Sequence, residues 1–307
     1  MTRKLSSTAL PTKPENAVVP VDRQQKVFTF IPVRWHLSSR VVLFRLRLIL
    51  RLVCVLWLAY LMPTYAQAVD AEVSKQWKSA IANDNAATLA SMWESSGFDQ
   101  DLLAVRADNG KSAFMIACKT GDIDLFEAIL ATGEDPESKT LTGGTPLMFA
   151  TLGDRRAIVQ RLLELEVDTD AQGSNGWSAM TIAAAKGYTA MIQTLASAGA
   201  EINVTDVYGW TPLMRAVDNG HWSSVLLLSS LEGIELDNQD EAGNTALHHA
   251  VVHRNLDMVR QLIEKGASQG VENNAQQTAY QLAKELAIDA AESNSGSPDP
   301  IVSLFGK

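Results

Sequence analysis

Cysteine is scarce in this chain of 307 residues, which contains only Cys54 and Cys118. Cys54 lies inside an apolar stretch near the N-terminus, and Cys118 follows Ala117 in a segment of small apolar residues. Because Cys118 has no partner in the main part of the chain, the fold there must be stable without a disulfide. Its apolar surroundings predict that Cys118 is a buried small hydrophobic residue and not a reactive thiol.

Short motifs of catalytic sites are also missing. The sequence contains no phosphate-binding GK[ST] loop, no GxSxG nucleophile motif, no HExxH zinc motif and no CxxC pair. The acidic residues are scattered along the chain, so they are typical of a solvated surface and not of paired catalytic carboxylates. We therefore expect a protein that is not an enzyme and that needs no cofactor.

Basic residues are few outside the N-terminal region. The first 68 residues hold ten of the 26 Lys and Arg residues and two of the 35 Asp and Glu residues, which leaves 16 basic and 33 acidic residues in the remainder. Nucleic acids and anionic lipids bind through basic side chains, so the acidic remainder argues against both as partners. It favours a protein partner that carries a basic patch.

No charge-free apolar run reaches the ~20 residues that a membrane-spanning helix needs. The run Leu52–Met62 has 11 residues, follows several arginines and precedes Ala66-Gln67-Ala68. A basic segment, a short apolar core and a small-x-small site are typical of a secretory signal peptide, and we expect cleavage after Ala68. The alternative is an uncleaved anchor over Val41–Met62, which would place three arginines in or near the membrane at a cost of about 2.5–3.5 kcal/mol each.

Residues 1–33 are rich in Ser, Thr, Pro and scattered charges and show no apolar period, so we expect them to be disordered. Residues 1–68 as a whole are thus predicted to be a basic N-terminus and a signal peptide. The mature protein is expected in the periplasm or outside the cell. In the anchored alternative it is held at the inner membrane with its main part outside the cytoplasm.

The rest of the chain contains one pattern that recurs. A glycine marks each copy, an alanine follows seven residues later, and both markers keep a spacing of 33 or 34 residues. The glycine positions are Gly110, Gly143, Gly176, Gly209 and Gly243, with Gln276 in the last copy, and the alanines are Ala117, Ala150, Ala183, Ala216, Ala250 and Ala283.

Each copy predicts two helices. A Ser or Thr two residues after the marker is a typical helix N-cap, Pro146 and Pro212 suit the first helical position, and a glycine follows the helix. A second segment with apolar residues at helical spacing comes next. No single unit can bury its own apolar face, so the units must stack on one another.

The segments GGTPLMFA (143–150), YGWTPLMRA (208–216) and AGNTALHHA (242–250), with their 33-residue period, resemble the ankyrin repeat. The resemblance implies an all-α fold, an ankyrin-type α-solenoid of helix-turn-helix repeats with β-hairpin loops. We expect a repeat domain over 72–290 and a flexible tail over 291–307. Its parts are an N-terminal capping unit (72–106), full repeats (107–139, 140–172, 173–205, 206–239 and 240–272) and a C-terminal capping unit (273–290), and the five full repeats are called units 1 to 5.

His249 and His253 are four residues apart on a predicted helix, which is the spacing of a metal-binding pair. The resemblance assigns His248 to a structural position that bonds to neighbouring turns, and it assigns His249 to the core. We therefore expect no metal site. A metal-dependent enzyme that uses His249 and His253 is the less favoured alternative.

The resemblance places partner-binding residues on one concave surface, formed by the hairpin tips and the first helices. At the matching positions this chain has Trp177, Lys186, Tyr208, Trp210, Asp218, Asn219, Asn244 and His253. We expect Trp177, Tyr208 and Trp210 to be partly exposed at the centre of a partner site, because exposed aromatic residues are enriched in interaction hot spots. The alternative is that each indole covers the neighbouring hairpin and only packs. Trp222 occupies a slot where the family has a buried leucine, so we expect it in the core.

Together these features predict an exported, non-catalytic and monomeric scaffold that binds a protein partner through its concave surface. The alternative is an inhibitor, an immunity-type protein or a secreted effector on the same scaffold. Repeat scaffolds host many roles, so the residues leave this choice open.

If the signal peptide is cleaved after Ala68, the mature protein begins at Val69. N-terminal sequencing of the protein from its native host should give Val69 as the first residue. Recovery of an intact Met1 in the membrane fraction would instead support the anchor over Val41–Met62.

Overall fold

A computed structural model of the chain describes residues 70–97, 99–291 and 299–305, and it gives the backbone alone for 288–291. The predicted disordered segment and signal peptide, with Ala66 and Ala68, lie outside the described residues. Among the helices of the described part, none is both long enough and apolar enough to cross a membrane.

The described chain is built from pairs of short antiparallel helices, which confirms the predicted all-α solenoid. Helix α1 covers residues 70–82. The following helices are α2 (Ala86–Ser95), α3 (Ala113–Thr120), α4 (Ile123–Leu130), α5 (Pro146–Leu152), α6 (Arg156–Glu164), α7 (Ala179–Lys186), α8 (Thr189–Ser197), α9 (Pro212–Asp218), α10 (Trp222–Leu228), α11 (Ala246–Val252), α12 (Leu256–Glu264) and α13 (Ala279–Ala291). Short 3-10 turns occupy Gln100–Ala104 and Val302–Leu304.

The first helix of each full unit begins at a hydroxyl residue, as the sequence predicts. The side chains of Ser112, Thr145, Ser178, Thr211 and Thr245 each accept a hydrogen bond from the backbone N–H three residues later. Each such cap stabilises its helix by about 1 kcal/mol. Pro146 and Pro212 occupy the first turn of their helices, where a missing N–H leaves no hydrogen bond unmade.

Small residues allow the first helices to stack closely. These inner helices, α3, α5, α7, α9, α11 and α13, contact one another in chain order, while α4, α6, α8, α10 and α12 form an outer row. The marker alanines Ala117, Ala150, Ala183, Ala216, Ala250 and Ala283 are all buried. A larger side chain at these positions would overpack the stack at a cost of about 1–3 kcal/mol.

The loops between units are held in register by backbone hydrogen bonds. The N–H groups of Leu141, Ser174, Val207, Glu241 and Asn274 each donate to a carbonyl in the preceding loop, with N–O distances from 2.8 to 3.2 Å. Within the described residues, Glu272 and Thr278 form an isolated β-bridge, and there is no β-strand of more than one residue. The expected β-hairpins are thus tight turns that stack side by side.

Aromatic and apolar groups close both ends of the stack. At the N-terminal end Trp77 and Trp93 are buried, and their ring centroids are 6.1 Å apart. At the C-terminal end Ile301 and Phe305 are buried, and Phe305 packs on Tyr280 with 5.5 Å between ring centroids. Residues 299–305, which the composition places in a mobile tail, are therefore docked, because their apolar side chains cover the last unit.

Two single-residue predictions have different outcomes. Cys118 is buried, as expected, and burial raises the pKa of its thiol well above the usual range, so the group stays protonated.

The prediction that Trp222 is a core residue is wrong, since 39% of its surface is exposed. Trp222 is the first residue of α10, whose buried face runs through Ser224, Val225 and Leu228 and leaves the indole at the edge.

The turn glycines provide a test of the stacking register. Gly176 has φ +77°, and a Cβ atom there would lie 2.6 Å from the Cα of Asp206 in the next loop. Gly199 has φ +86°, but a Cβ atom there would meet nothing within 4 Å. Both changes to alanine should cost about 1–2 kcal/mol for the left-handed backbone. Gly176→Ala should cost about 1–3 kcal/mol more, since it pushes two loops apart.

Urea unfolding of Gly176→Ala and Gly199→Ala measures this difference directly. Equal losses in the free energy of unfolding would show that the loop contact at Gly176 does not set the register.

Candidate protein-interaction surface

Four side chains from units 3, 4 and 5 form a continuous series of ring contacts, which we call the aromatic ladder. The guanidinium carbon of Arg215 lies 5.3 Å from the ring centroid of Trp177 and 4.5 Å from that of Trp210. The ring centroid of His249 lies 4.2 Å from that of Trp210. Cation–π contacts of this kind contribute about 0.5–2 kcal/mol each, so the ladder joins three units as well as shaping their surface.

A buried carboxylate holds the middle of the ladder. Asp206 Oδ2 accepts a hydrogen bond from Arg215 Nε at 2.9 Å and a second from Nη2. Its Oδ1 accepts from the backbone N–H groups of Tyr208, at 2.9 Å, and Trp210, at 3.1 Å. The Asp206 side chain has no solvent exposure, so these four donors take the place of water around its oxygens. The same carboxylate therefore fixes both Arg215 and the loop that carries two of the predicted aromatic residues.

Unit 5 repeats this arrangement with a different cationic partner. Asp240 Oδ1 accepts from the backbone N–H groups of Ala242, at 2.9 Å, and Asn244, at 2.8 Å, and Oδ2 lies 2.8 Å from His249 Nε2. A carboxylate can only accept, so Nε2 of His249 carries the proton. Burial lowers the pKa of His249, and the opposing effect of Asp240 does not compensate. His249 is thus neutral at pH 7, where Arg215 is charged.

His248 has the structural role that the resemblance implies. Its Nδ1 accepts from the backbone N–H of Thr245 at 3.2 Å, and its Nε2 donates to the carbonyl of Gln277 at 3.1 Å. Burial lowers the pKa of His248, with the bond to Gln277 opposing, so both nitrogens act as in a neutral imidazole. The side chain caps α11 and joins unit 5 to the closing unit.

The three predicted aromatic residues differ in exposure. Tyr208 is 58% exposed, whereas Trp177 and Trp210 are half-buried. Trp177 packs against Met148, Ala171 and Ile182, and Trp210 packs against the main core. The two indoles therefore pack between units and also present part of their surface to solvent, which combines the two alternatives that the sequence left open.

The other predicted residues surround the ladder. Lys186, Asn219 and His253 are exposed, and Asp218 and Asn244 are half-buried. Asp218 Oδ1 accepts from His253 Nε2 at 2.8 Å, and Asn219 Nδ2 donates to the carbonyl of Arg215 at 2.8 Å. Asn244 Oδ1 accepts from Asn273 Nδ2 at 3.0 Å. These bonds hold polar groups in fixed positions around the half-exposed rings.

Sequence reasoning missed Arg215 and the two buried aspartates. Asp206 and Arg215 are nine residues apart, and Asp240 and His249 have the same separation in the next unit. That recurrence of an acid and a basic group at matched slots is the signal that could have found the pairs. Val207, which the resemblance also places among the partner-binding positions, is 50% exposed beside Tyr208.

The two histidines of the metal alternative have separate partners. His249 bonds to Asp240, and His253 bonds to Asp218. Across the described ranges, no group of three or more His, Cys, Asp or Glu side chains is arranged to hold a metal ion.

The pair formed by His249 and Asp240 predicts a pH dependence. Because the pKa of His249 is lower in the folded chain than its unfolded value of about 6.5, the unfolded chain binds more protons below that pH. The free energy of unfolding should therefore decrease as the pH falls below about 6.5. His249→Arg copies the pair of unit 4, in which the charge is permanent, and it should reduce this slope.

Urea unfolding between pH 7.5 and 5 of the wild type and of His249→Arg compares the two slopes. His248, whose pKa is also lowered, is present in both proteins, so its contribution to the pH dependence of unfolding is the same in each. Identical slopes would mean that His249 does not titrate differently in the folded and unfolded chains.

The family model for ankyrin repeats (3 copies) matches this chain in four overlapping segments, residues 79–172, 114–206, 153–240 and 213–292. B-cell lymphoma 3 protein homolog of mouse is 28% identical over 189 residues, which are 58% of this chain and 42% of that protein. The putative ankyrin repeat protein YahD of Escherichia coli K12 is 26% identical over 181 residues, which are 57% of this chain and 90% of that protein. The chain thus spans less than half of the mouse relative.

Among solved structures, the ankyrin repeat domain of Bcl-3, described as a member of the IkappaB protein family, superposes with a TM-score of 0.58. It is 21% identical, and the match covers 75% of this chain and 97% of that domain. At this identity the superposition shows the fold alone. Since the family model spans residues 79–292, well over half of the sequence, this chain belongs to the ankyrin repeat family.

Proposed function

We propose that this protein is a non-catalytic scaffold that binds a protein partner through the concave surface of units 3 to 5. The observation that carries the proposal is the aromatic ladder, in which buried Asp206 and Asp240 fix the loops and rings before any partner arrives. Rings that are already held in place lose little conformational freedom on binding, so more of their contact energy becomes affinity.

Exposed Tyr208 stands at the centre of the proposed site. Val207 and Tyr208 are exposed on the same loop, and the carbonyl of Tyr208 accepts from the N–H of Glu241 at 3.0 Å, which joins it to the loop of unit 5. Large apolar side chains in the centre and charged or amide groups at the edge are the usual anatomy of a protein interface.

The distribution of charge supports a partner with a basic patch. In units 1 to 4 the loops that follow the outer helices, residues 131–139, 165–172, 198–205 and 231–239, contain ten acidic residues and one lysine. Several of these carboxylates cap backbone N–H groups of the next unit, such as Glu137 on Asp168 at 2.7 Å and Asp170 on Glu201 at 2.8 Å. The resulting acidic edge would raise the association rate of a basic protein.

The setting that we propose is outside the cytoplasm. Its support is the arginine-rich segment, the apolar run and the small-x-small site that precede the repeats in the sequence. An inhibitor or an effector would use the same concave surface, so the identity of the captured protein separates these roles.

The aromatic site should be tested with the chain as bait in an extract of the producing organism, followed by titration of the captured protein. Tyr208→Ala should weaken binding by about 1–3 kcal/mol with an unchanged melting temperature, because the ring is mainly exposed. Trp210→Ala should weaken binding and also lower the melting temperature, because Trp210 contacts Arg215 and His249.

Leu141→Ala is the matched control, since Leu141 is 79% exposed on the loop of unit 2 and outside the ladder. If Tyr208→Ala binds as tightly as Leu141→Ala and the wild type, the partner does not use the aromatic site.

A further inference from the structure

The outer row of helices contains a stretch without charged residues, although Asp, Glu, Lys and Arg make up 20% of the chain. Helices α8 and α10, from units 3 and 4, contain no Asp, Glu, Lys or Arg. The helices on either side are charged: α6 carries Arg156, Arg161 and Glu164, and α12 carries Asp257, Arg260 and Glu264. We call the exposed side chains of α8 and α10, with the adjoining Ser230, the neutral patch.

Two large apolar side chains of the neutral patch are exposed on α10. Trp222 is 39% exposed and Leu226 is 43% exposed, and their spacing of four residues places them on one face of α10. The slot of Leu226 holds Glu127, Gln160, Gln193 and Arg260 in the other full units. The apolar pair is therefore a property of unit 4 and not of the repeat.

The polar groups of the neutral patch are mostly satisfied within their own helices. Thr194 Oγ1 donates to the carbonyl of Ala190 at 2.9 Å, and Ser230 Oγ donates to the carbonyl of Leu226 at 2.7 Å. Gln193 Nε2 donates to Ser197 Oγ at 3.3 Å. If a partner covered the patch, few hydrogen-bond donors would lose water without another acceptor. The free-energy cost of desolvating an interface here is therefore low.

The patch is also held as one surface. Thr189 Oγ1 of α8 lies 3.3 Å from Ser224 Oγ of α10, and Gln261 Nε2 of α12 donates to Ser229 Oγ at the end of α10 at 3.3 Å. The outer helices therefore present Trp222 and Leu226 from a fixed frame.

We propose that the neutral patch binds a second copy of this chain in a twofold symmetric dimer. The residues after position 68 include 33 acidic and 16 basic side chains, so most faces of two copies repel each other. A face without charge can approach its own copy without that repulsion, and a twofold contact brings the Trp222 and Leu226 of both copies together. This dimer replaces the monomer expected from the sequence, and it leaves the concave surface open to a protein partner.

Sedimentation equilibrium of the purified full-length chain tests the proposal. The wild type should associate into dimers as its concentration is raised to about 200 µM, where even weak specific contacts are populated. The double variant Trp222→Thr and Leu226→Gln places the residues of unit 3, Thr189 and Gln193, in the same slots. Its dimer dissociation constant should be at least tenfold higher than that of the wild type, since tryptophan at an interface is a hot-spot residue.

Ile123→Thr is the control, because Ile123 occupies the slot of Trp222 in unit 1 and is 42% exposed outside the patch. All proteins carry the same N-terminal segment, and circular dichroism and thermal unfolding confirm that each is folded. A wild type that is monomeric throughout, or a double variant that dimerises like the wild type and Ile123→Thr, would overturn the proposal. Binding to the concave partner is measured separately and does not depend on either outcome.

Discussion

The contact between successive inner helices is the constraint on which the rest of this protein depends. A buried alanine at each repeat allows the helices to approach, and one backbone hydrogen bond between neighbouring loops sets the register. A helix pair of this size cannot bury its apolar face alone, so each unit is stable only through its neighbours. The two ends of the described stack are closed by Trp77 and Trp93 and by the docked segment 299–305.

Within that regular stack, one buried slot shows how a small change alters local chemistry. Units 4 and 5 each place an aspartate against two backbone N–H groups and against a side chain nine residues later. In unit 4 that side chain is arginine, whose charge is permanent, and removal of one partner from a buried ion pair costs about 3–5 kcal/mol. In unit 5 it is a histidine whose pKa is lowered by burial, so the pair is a hydrogen bond to a neutral ring at pH 7. Two loops with nearly the same geometry thus respond differently to pH.

Departures from the repeat, and not the repeat itself, distinguish the surfaces of this molecule. Trp177, Tyr208 and Trp210 lie on the loops that precede the inner helices of units 3 and 4, and Trp222 and Leu226 lie on the outer row. Acidic residues are concentrated in the loops that follow the outer helices of units 1 to 4. The core tolerates these differences because the residues involved contribute to the edges of units, whereas the marker alanines and the hydroxyl caps are kept in every full unit.

Much of the fold could be read from the residues because its determinants are local. The 33-residue period, the Ser or Thr caps, the prolines at Pro146 and Pro212 and the glycines all act within one unit, so they predicted the helix pairs and their starts. The burial of Cys118 and the structural role of His248 followed from their positions in the same pattern.

Only the tertiary structure decided how side chains of different units meet. The contacts of Arg215 with Trp177 and of Trp210 with His249 depend on the rotation between units, which the period does not contain. The edge position of Trp222 depends on where α10 begins relative to its neighbours, and the docking of Ile301 and Phe305 depends on the open face of the last unit. Local sequence therefore determined the units and their order, while contacts between units, which join residues more than 30 positions apart, determined the surface that a partner would meet.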